Sequence, residues 1–417
     1  MHDHFGHNTA HGSRRRRGII AFTALIMLSV MVVVTAAASQ EMALETRASQ
    51  NRNSVRQAYY CAWTGIDYCL YLSQLYSDWR TRLGAGNWIS DFSVGTGTVT
   101  VTATDPDDGT VSGDPIGKIS FTAAAACGLA RRNVVAQAQP PPGPTLKYVL
   151  CSTSNKNLEL KKGVSVYGDV RTSGAISADA DVTLVGNIYT SPSAIVTASL
   201  IDGDTQLIRT EQTVDPPSVD FTWYRSVAQE LTLPVTGGRY EMTRALLTPS
   251  SNPYGLTSPK GLYYINGRNA EVRITECYIV GTLIIANASK VVVRIACFIR
   301  PAAKKYPAII SNSDIEIQIE RLLKENAAGK DFNGDSDTND QYVSQINGVI
   351  YSTKQVTGLQ TGTDAGPFYM NGAIVADQIR ITDAPAFHIC YDPDLAQTAV
   401  AGFQGPGLVL APGTIRD

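Results

Sequence analysis

The sequence predicts an α+β protein: a long N-terminal transmembrane helix, a small β-sheet, and then a mainly-β, right-handed parallel β-solenoid. Three observations lead to this prediction. Residues 19–38 carry no charge, residues 96–104 alternate with the period of a strand, and short β-rich segments recur every 18–24 residues from residue 164 onward. With 417 residues, 44% of them hydrophobic, the chain can bury a sizeable core in about two or three units.

The transmembrane helix is predicted at Ile19–Ala38, which reads IIAFTALIMLSVMVVVTAAA. At about 1.5 Å per residue this segment spans a hydrocarbon core of roughly 30 Å. Four arginines stand directly before it: Arg14, Arg15, Arg16 and Arg17. Such a basic block is a topology signal that stays in the cytoplasm. We therefore expect a single-pass inner-membrane protein with residues 1–18 as a cytoplasmic basic leader and the bulk of the chain in the periplasm or on the cell surface.

A secretory signal peptide is the alternative, with cleavage in the small residues at 35–39 and a mature chain that begins near Gln40. The helical pattern, however, continues beyond this point, and no proline interrupts residues 19–84. Apolar residues recur at helical spacing and predict one buried stripe: Ala58, Tyr59, Ala62, Ile66, Cys69, Leu70 and Tyr76. We therefore predict one helix over residues 19–83.

The remaining boundaries follow from changes of pattern. Residues 84–138 predict a small sheet, and the proline-rich residues 139–144 predict an extended linker. Residues 145–417 predict the solenoid, with an insertion that lacks the repeat at about 216–260. The repeats align Val164 with Val182, Val272 with Val293, Cys277 with Cys297 and Ile346 with Met370. A β-sandwich also has many short strands, but it does not explain similar segments one coil apart.

The N-terminal region resembles a known family. The basic leader that ends in Gly18, the apolar run and the later block AYYCAWTGIDYCL at 58–70 are similar to the start of minor pilins and pseudopilins of type IV pilus assembly, PilX-like proteins and the large type II secretion pseudopilin. That block usually reads A-x-x-x-A-E-A-G followed by a hydrophobic residue. This chain has Trp63 and Thr64 in place of Glu-Ala.

The resemblance implies cleavage by a prepilin peptidase between Gly18 and Ile19. It also implies that the helix assembles with other pilin-like subunits. The family's usual glutamate five positions after the cut is replaced here by Thr23, which would suit a subunit at a filament tip. The implied function is a non-enzymatic minor subunit of a type IV pilus or type II secretion-type filament, with the solenoid exposed for structure or adhesion.

Two alternatives are a membrane-anchored structural or adhesive solenoid outside any filament, and a glycan-active β-helix enzyme. The second would use clustered carboxylates, for which Asp169, Asp179 and Asp181 are candidates. We expect no catalytic residues, because His388 is the only histidine outside the leader and lies in a strand-like run. The net charge of −2 offers no electrostatic case for nucleic acid as a partner.

Two further sites are predicted from residue spacing. Cys277 and Cys297 would stack on adjacent coils about 4.8 Å apart, within disulfide range in an oxidising compartment. Buried, reduced cysteines are the alternative. The run DFNGDSDTND at 331–340 places oxygen ligands at alternate positions, as a calcium loop does: Asp331, Asn333, Asp335 and Asp337. Ser336 and Tyr342 depart from the EF-hand pattern, and a solvated turn without any cofactor is the alternative reading.

Overall fold

The computed structural model describes residues 12–197, 205–210, 214–217, 219–360, 366–382 and 386–416, and only the backbone of residues 12–19. It confirms the α+β class: a long apolar helix is followed by a mostly-β body. Helix α1 spans Gly12–Leu75 and helix α2 spans Trp79–Leu83. The predicted single helix therefore breaks at residues 76–78. This break lets Trp79 turn into the core, 6% exposed, with its ring 5.6 Å from that of Trp88.

The second half of α1 packs on a small antiparallel sheet. Its strands are β1 (Gly86–Val94), β2 (Gly97–Thr104), β3 (Ile119–Cys127) and β4 (Ala130–Gln139). Ala58, Ala62 and Ile66 are fully buried, and the other residues of the predicted stripe are buried or half-buried. The stripe is thus confirmed. Its apolar residues and the alternate residues of β2 and β3 form one core.

Gly65 sets how closely α1 approaches this sheet. A Cβ atom there would lie 2.8 Å from Val99 Cγ2 and 2.9 Å from Val101 Cγ2. Such contacts are shorter than van der Waals distance, so any side chain at residue 65 would push the helix and sheet apart.

We predict that Gly65→Val lowers the free energy of unfolding of the small-sheet unit by about 1–3 kcal/mol, because the core would be overpacked. Thermal unfolding of the full chain in detergent, followed by the near-UV circular dichroism of Trp79 and Trp88, measures this. Thr64→Ala is the control, because Thr64 is exposed on the same turn and its loss should change stability by about 0.5 kcal/mol or less. Equal stability of the two variants would contradict the close packing.

Most of the remaining strands belong to one 21-stranded sheet, the large sheet. A first run of short strands comprises β5 (Leu150–Ser152), β6 (Leu158–Leu160), β7 (Ser165–Tyr167), β8 (Val170–Thr172), β9 (Ile176–Ala178), β10 (Thr183–Val185), β11 (Ile188–Thr190) and β12 (Leu207–Arg209). A 3-10 helix at Pro144–Lys147 precedes this run.

A second run follows helix α3 (Phe221–Val227). Its strands are β13 (Gln229–Glu230), β14 (Val235–Thr236), β15 (Arg239–Thr243), β16 (Leu246–Leu247), β17 (Leu262–Asn266), β18 (Glu271–Val280), β19 (Thr282–Ala286), β20 (Lys290–Arg300), β21 (Ile309–Ser311) and β22 (Ile315–Ile319). The hairpin β23 (Leu323–Lys324) and β24 (Gln341–Tyr342) encloses helix α4 (Glu325–Ala328) and stands apart from the large sheet. The run resumes with β25 (Ser344–Gln360), β26 (Phe368–Ile381) and β27 (Phe387–Cys390).

Pairing in the large sheet is parallel apart from β14 with β15. The register reproduces two of the sequence repeats: Val166 pairs with Leu184, and Ile346 pairs with Met370. The third repeat is only partly right. Cys277 pairs with Cys297, but Val272 pairs with Val291, because a bulge shifts the register between residues 275 and 277.

The two runs do not follow each other in space. The last strand of the second run, β27, pairs with β26 on one side and with β7 of the first run on the other. Strand β26 also pairs with β5. The chain therefore begins the large sheet in its middle, proceeds to β12 at one end, crosses to β13 and winds back. Residues 216–260, predicted as an insertion, contain this crossing and also strands β13 to β16.

Strands in the second run bury both faces. In β17, Tyr263 and Ile265 belong to one apolar cluster, and Leu262 and Tyr264 belong to another. The second cluster is covered by helix α3 and by residues 391–403, with a 3-10 helix at Pro393–Ala396. Two covered faces explain why these strands read as continuous apolar runs instead of alternating.

The C-terminal segment returns to the small sheet through β28 (Val409–Leu410), which pairs antiparallel with β4. Leu408 is 1% exposed in the small-sheet core, and its amide donates to Ser73 Oγ at 2.9 Å. The predicted linker at 139–144 packs against this returning segment, and a Cβ at Gly143 would lie 1.6 Å from the Phe403 carbonyl oxygen. The last residues, predicted as solenoid, thus help to fix the small sheet.

We predict that Leu408→Ala lowers the free energy of unfolding by about 2–5 kcal/mol, since it leaves a cavity under α1. Val409→Ala is the matched neighbour, because Val409 is 40% exposed and its truncation should cost far less. Chemical denaturation of both variants measures the difference. A Leu408→Ala variant as stable as Val409→Ala would mean that the C-terminal segment does not close the small sheet.

Candidate membrane and assembly surface

The first part of α1 exposes apolar side chains without a partner in this chain. Eleven large apolar residues between Ile20 and Val34 are 45–75% exposed. Among the described residues, one helix, Ile20–Leu75, is long and apolar enough to cross a membrane, although a signal sequence meets the same test. Since large exposed apolar patches are rare on soluble monomers, this segment requires lipid or other apolar helices around it.

The hydroxyl groups in this segment do not oppose burial in lipid. Thr23 Oγ1 donates to the Ile20 carbonyl at 3.0 Å, and Ser29 Oγ donates to the Ile26 carbonyl at 2.8 Å. Thr35 does the same one turn further along the helix. Each donor is therefore satisfied within the helix, which is what an apolar surrounding demands.

The exposed surface continues beyond the apolar segment, on the side of α1 away from the small sheet. Tyr60 and Tyr71 are 65% and 53% exposed on this side. Tyr68 stacks on Phe92 of β1, with ring centroids 4.8 Å apart. Trp63, which replaces the family's glutamate, is half-buried beside Tyr59 and packs on the small-sheet core. The substitution thus adds apolar contact where a charge would be expected.

The predicted processing residues lie within α1. The helix begins at Gly12, so the backbone of Arg14 to Arg17, Gly18 and Ile19 is helical. The first eleven residues of the predicted leader lie outside the described residues. Processing between Gly18 and Ile19 and the topology signal of the arginines remain predictions.

The predicted disulfide partners are register neighbours on β18 and β20. Both thiols are buried and free in this structure, and the Cys277 thiol donates to the Thr275 carbonyl at 3.2 Å. Burial raises the pKa of Cys297 to about 12 and raises the pKa of Cys277 as well. A disulfide between them remains a prediction.

The acidic stretch 331–340 folds as a compact loop between β23 and β24. Both carboxylate oxygens of Asp331 accept backbone amides, from Gly334 at 2.6 Å and from Ser336 at 2.8 Å. These bonds lower the pKa of Asp331. Its charge is thus used to shape the loop.

Carboxylate oxygens of Asp335, Asp337 and Asp340 lie within 4.8 Å of one another, and Asp331 is outside this group. Asn333 Nδ2 donates to Asp340 Oδ2 at 2.6 Å and to Asp335 Oδ2 at 2.9 Å. Desolvation and the neighbouring charges of Asp335, Glu325 and Asp337 raise the pKa of Asp340. The structure therefore brings two predicted ligands together with one that the spacing argument did not use. Asp340 ends the same acidic run, so alternation was too strict a signal.

The residues considered for catalysis are dispersed. His388 is half-buried in β27 and stacks on Tyr369, with ring centroids 5.1 Å apart. Asp169 Oδ1 accepts the Asn187 amide at 2.8 Å, and Asp179 Oδ2 accepts the Lys162 amide at 3.2 Å. Within the described ranges, these carboxylates and that of Asp181 do not form a close acidic group.

Comparison with known proteins gives little further guidance. No protein-family model matches the chain, and no curated protein matches it. Among solved structures, the competence-associated pilin ComZ from Thermus thermophilus is a weak structural neighbour, with 10% sequence identity and a TM-score of 0.28. The match covers 87% of this chain and 97% of ComZ. At this TM-score the likeness carries no argument, so the case for a function rests on the residues and contacts above.

We predict that the buried thiols of the native protein react slowly with iodoacetamide at pH 8. Their raised pKa values, about 12 for Cys69, Cys151 and Cys297, leave almost no thiolate at this pH. Denaturation should release fast labelling, measured by intact mass. The final number tests the disulfide directly: seven labelled thiols if all are reduced, and five if Cys277 and Cys297 are bridged. Fast labelling of the native protein at these three positions would contradict their burial.

Proposed function

We propose that this chain is a non-enzymatic minor pilin-like or pseudopilin-like subunit of a type IV pilus or a type II secretion-type filament. One observation carries the proposal. Helix α1 is continuous from Gly12 to Leu75, yet only its second half has a partner in the chain. An exposed apolar half joined rigidly to a folded body suits transfer from a bilayer into a bundle of like helices.

In the proposed mechanism, a prepilin peptidase cuts after Gly18 and exposes the amine of Ile19. The apolar half of α1 holds the subunit in the inner membrane until it packs against the helices of other subunits. Thr23 supports a position at the tip, because its hydroxyl is bonded to the Ile20 carbonyl and it offers no carboxylate to a preceding subunit's amine.

We also propose that the large sheet winds as a right-handed parallel β-solenoid exposed for structure or adhesion. Parallel pairs 18 residues apart in the first run and 24 apart in β25 and β26 support this, because each coil of a solenoid pairs with the next. An experimental density map that shows left-handed winding or two facing sheets would refute it.

The deciding experiment is the intact mass of the protein from its native membrane, with and without an active prepilin peptidase. We expect a chain that begins at Ile19 only when the peptidase is present. Gly18→Phe should block this cut, and Gly12→Ala, in the same leader, should leave it unchanged. A chain that begins near Gln40 would instead mean a secreted protein, and an uncut chain in both strains a simple anchor.

Cleavage alone does not demonstrate assembly, so the sheared cell-surface fraction is examined next. We expect the cleaved chain there, crosslinked to pilin-like subunits through α1. A cleaved chain that stays entirely in the membrane fraction would contradict a filament role and favour a membrane-anchored scaffold.

A further inference from the structure

The acidic loop covers an aromatic surface of the large sheet. Tyr278 of β18 and Phe298 of β20 stack with centroids 4.5 Å apart and planes inclined by 2°. Phe332 and Tyr342, at the two ends of the loop, lie 5.5 Å and 5.3 Å from Tyr278. These four rings form a small separate core. Whatever holds the two ends of the loop together therefore also holds this cover in place.

The loop concentrates negative charge without cations from the chain. Asp335, Asp337 and Asp340 approach one another within 4.8 Å. No ion pair with lysine or arginine involves any of the three in the part of the chain that the structure describes. Three carboxylates at this distance repel one another unless a cation lies between them.

A buried fourth carboxylate is an independent observation. Glu325 is 0% exposed, although glutamate is rarely buried without a partner. Its Oε1 accepts the Phe332 amide at 2.6 Å and the Tyr342 hydroxyl at 3.0 Å, while its Oε2 is buried with no hydrogen-bond partner. The Tyr342 hydroxyl also contacts the Asp340 carboxylate, so Glu325 borders the acidic group. A buried, half-satisfied carboxylate is costly unless a cation or a proton compensates it.

We propose that Glu325, Asp335, Asp337 and Asp340 bind one hard divalent cation of the calcium class. The donors are all oxygens, and Ca²⁺ accepts six to eight oxygen ligands in flexible geometry, with waters and backbone carbonyls completing its shell. The proposal does not depend on the filament function. It revises the ligand set predicted from spacing, because Asp331 bonds the loop backbone and Glu325 lies upstream of the loop. Cation binding would stabilise the loop as a cover over Tyr278 and Phe298.

The test is a calorimetric titration of CaCl₂ into the full-length protein in detergent after treatment with a chelator. The titration extends to the millimolar range, since extracellular calcium modules bind at about 10⁻⁴–10⁻³ M. We expect one site per chain, a higher thermal midpoint with calcium, and slower hydrogen exchange at residues 331–342. MgCl₂ should bind at least about tenfold more weakly, because Mg²⁺ requires near-octahedral geometry and loses water reluctantly.

Asp337→Asn keeps the shape of the side chain and its bond to the Asn339 amide but removes one charge. We expect calcium affinity to fall at least about tenfold, with no change in the thermal midpoint without calcium. Asp107→Asn is the control, because Asp107 is exposed in another acidic turn, and it should leave binding unchanged. Absence of calcium binding to the wild type, or equal affinity in Asp337→Asn, would overturn the proposal.

Glu325→Gln separates a cation from a proton. If Glu325 binds calcium, this variant loses affinity and also the calcium-dependent protection of residues 331–342. If Glu325 instead carries a proton, the variant keeps the wild-type response to calcium, which overturns its place in the site. Should Glu325→Gln fail to fold, Asp337→Asn and Asp340→Asn still decide the proposal.

Discussion

The close packing of α1 on the small sheet is the constraint on which the rest of the structure depends. Gly65 allows the helix to meet Val99 and Val101 directly, and Ala58 and Ala62 extend that contact with small side chains. A helix held at this distance cannot rotate without exposing its buried stripe to water. The face of α1 that remains outward is thereby fixed along the whole helix, including the half that has no partner in the chain.

The small sheet and the large sheet form one body because the chain passes between them repeatedly. The C-terminal segment covers one face of the large sheet and then adds β28 to the small sheet. The Trp223 indole of α3 donates to the Gly113 carbonyl of the β2 to β3 connection at 3.0 Å, and the Tyr224 hydroxyl donates to the Ala401 carbonyl at 2.9 Å. Motion of the helix is therefore transmitted to the β body through packed and hydrogen-bonded contacts, as a subunit that is pulled from a membrane requires.

The sequence predicted what local periodicity can encode. The stripe from Ala58 to Tyr76 and the register of Val166 with Leu184 are repeated patterns, so they could be read without coordinates. The pairing of β27 with β7 could not be predicted, because no period relates two strands more than 200 residues apart along the chain. The acidic site shows the same limit. Asp335 and Asp337 were found by alternation, whereas Glu325 joins them only because a hairpin closes the loop.

The distribution of apolar surface argues that association uses the helix and not the β body. Both faces of strands such as β17 are covered by the chain's own segments, so the large sheet satisfies its apolar side chains internally. In the described part of the body, exposed large apolar residues such as Leu129, Ile195 and Leu256 are far apart in sequence, whereas those of α1 recur at nearly every position from Ile20 to Val34. Isolated exposed apolar residues are normal on protein surfaces, and a continuous apolar helix is not. The driving force for assembly therefore lies in α1, and the polar surface of the body is left free for contacts of a different chemistry.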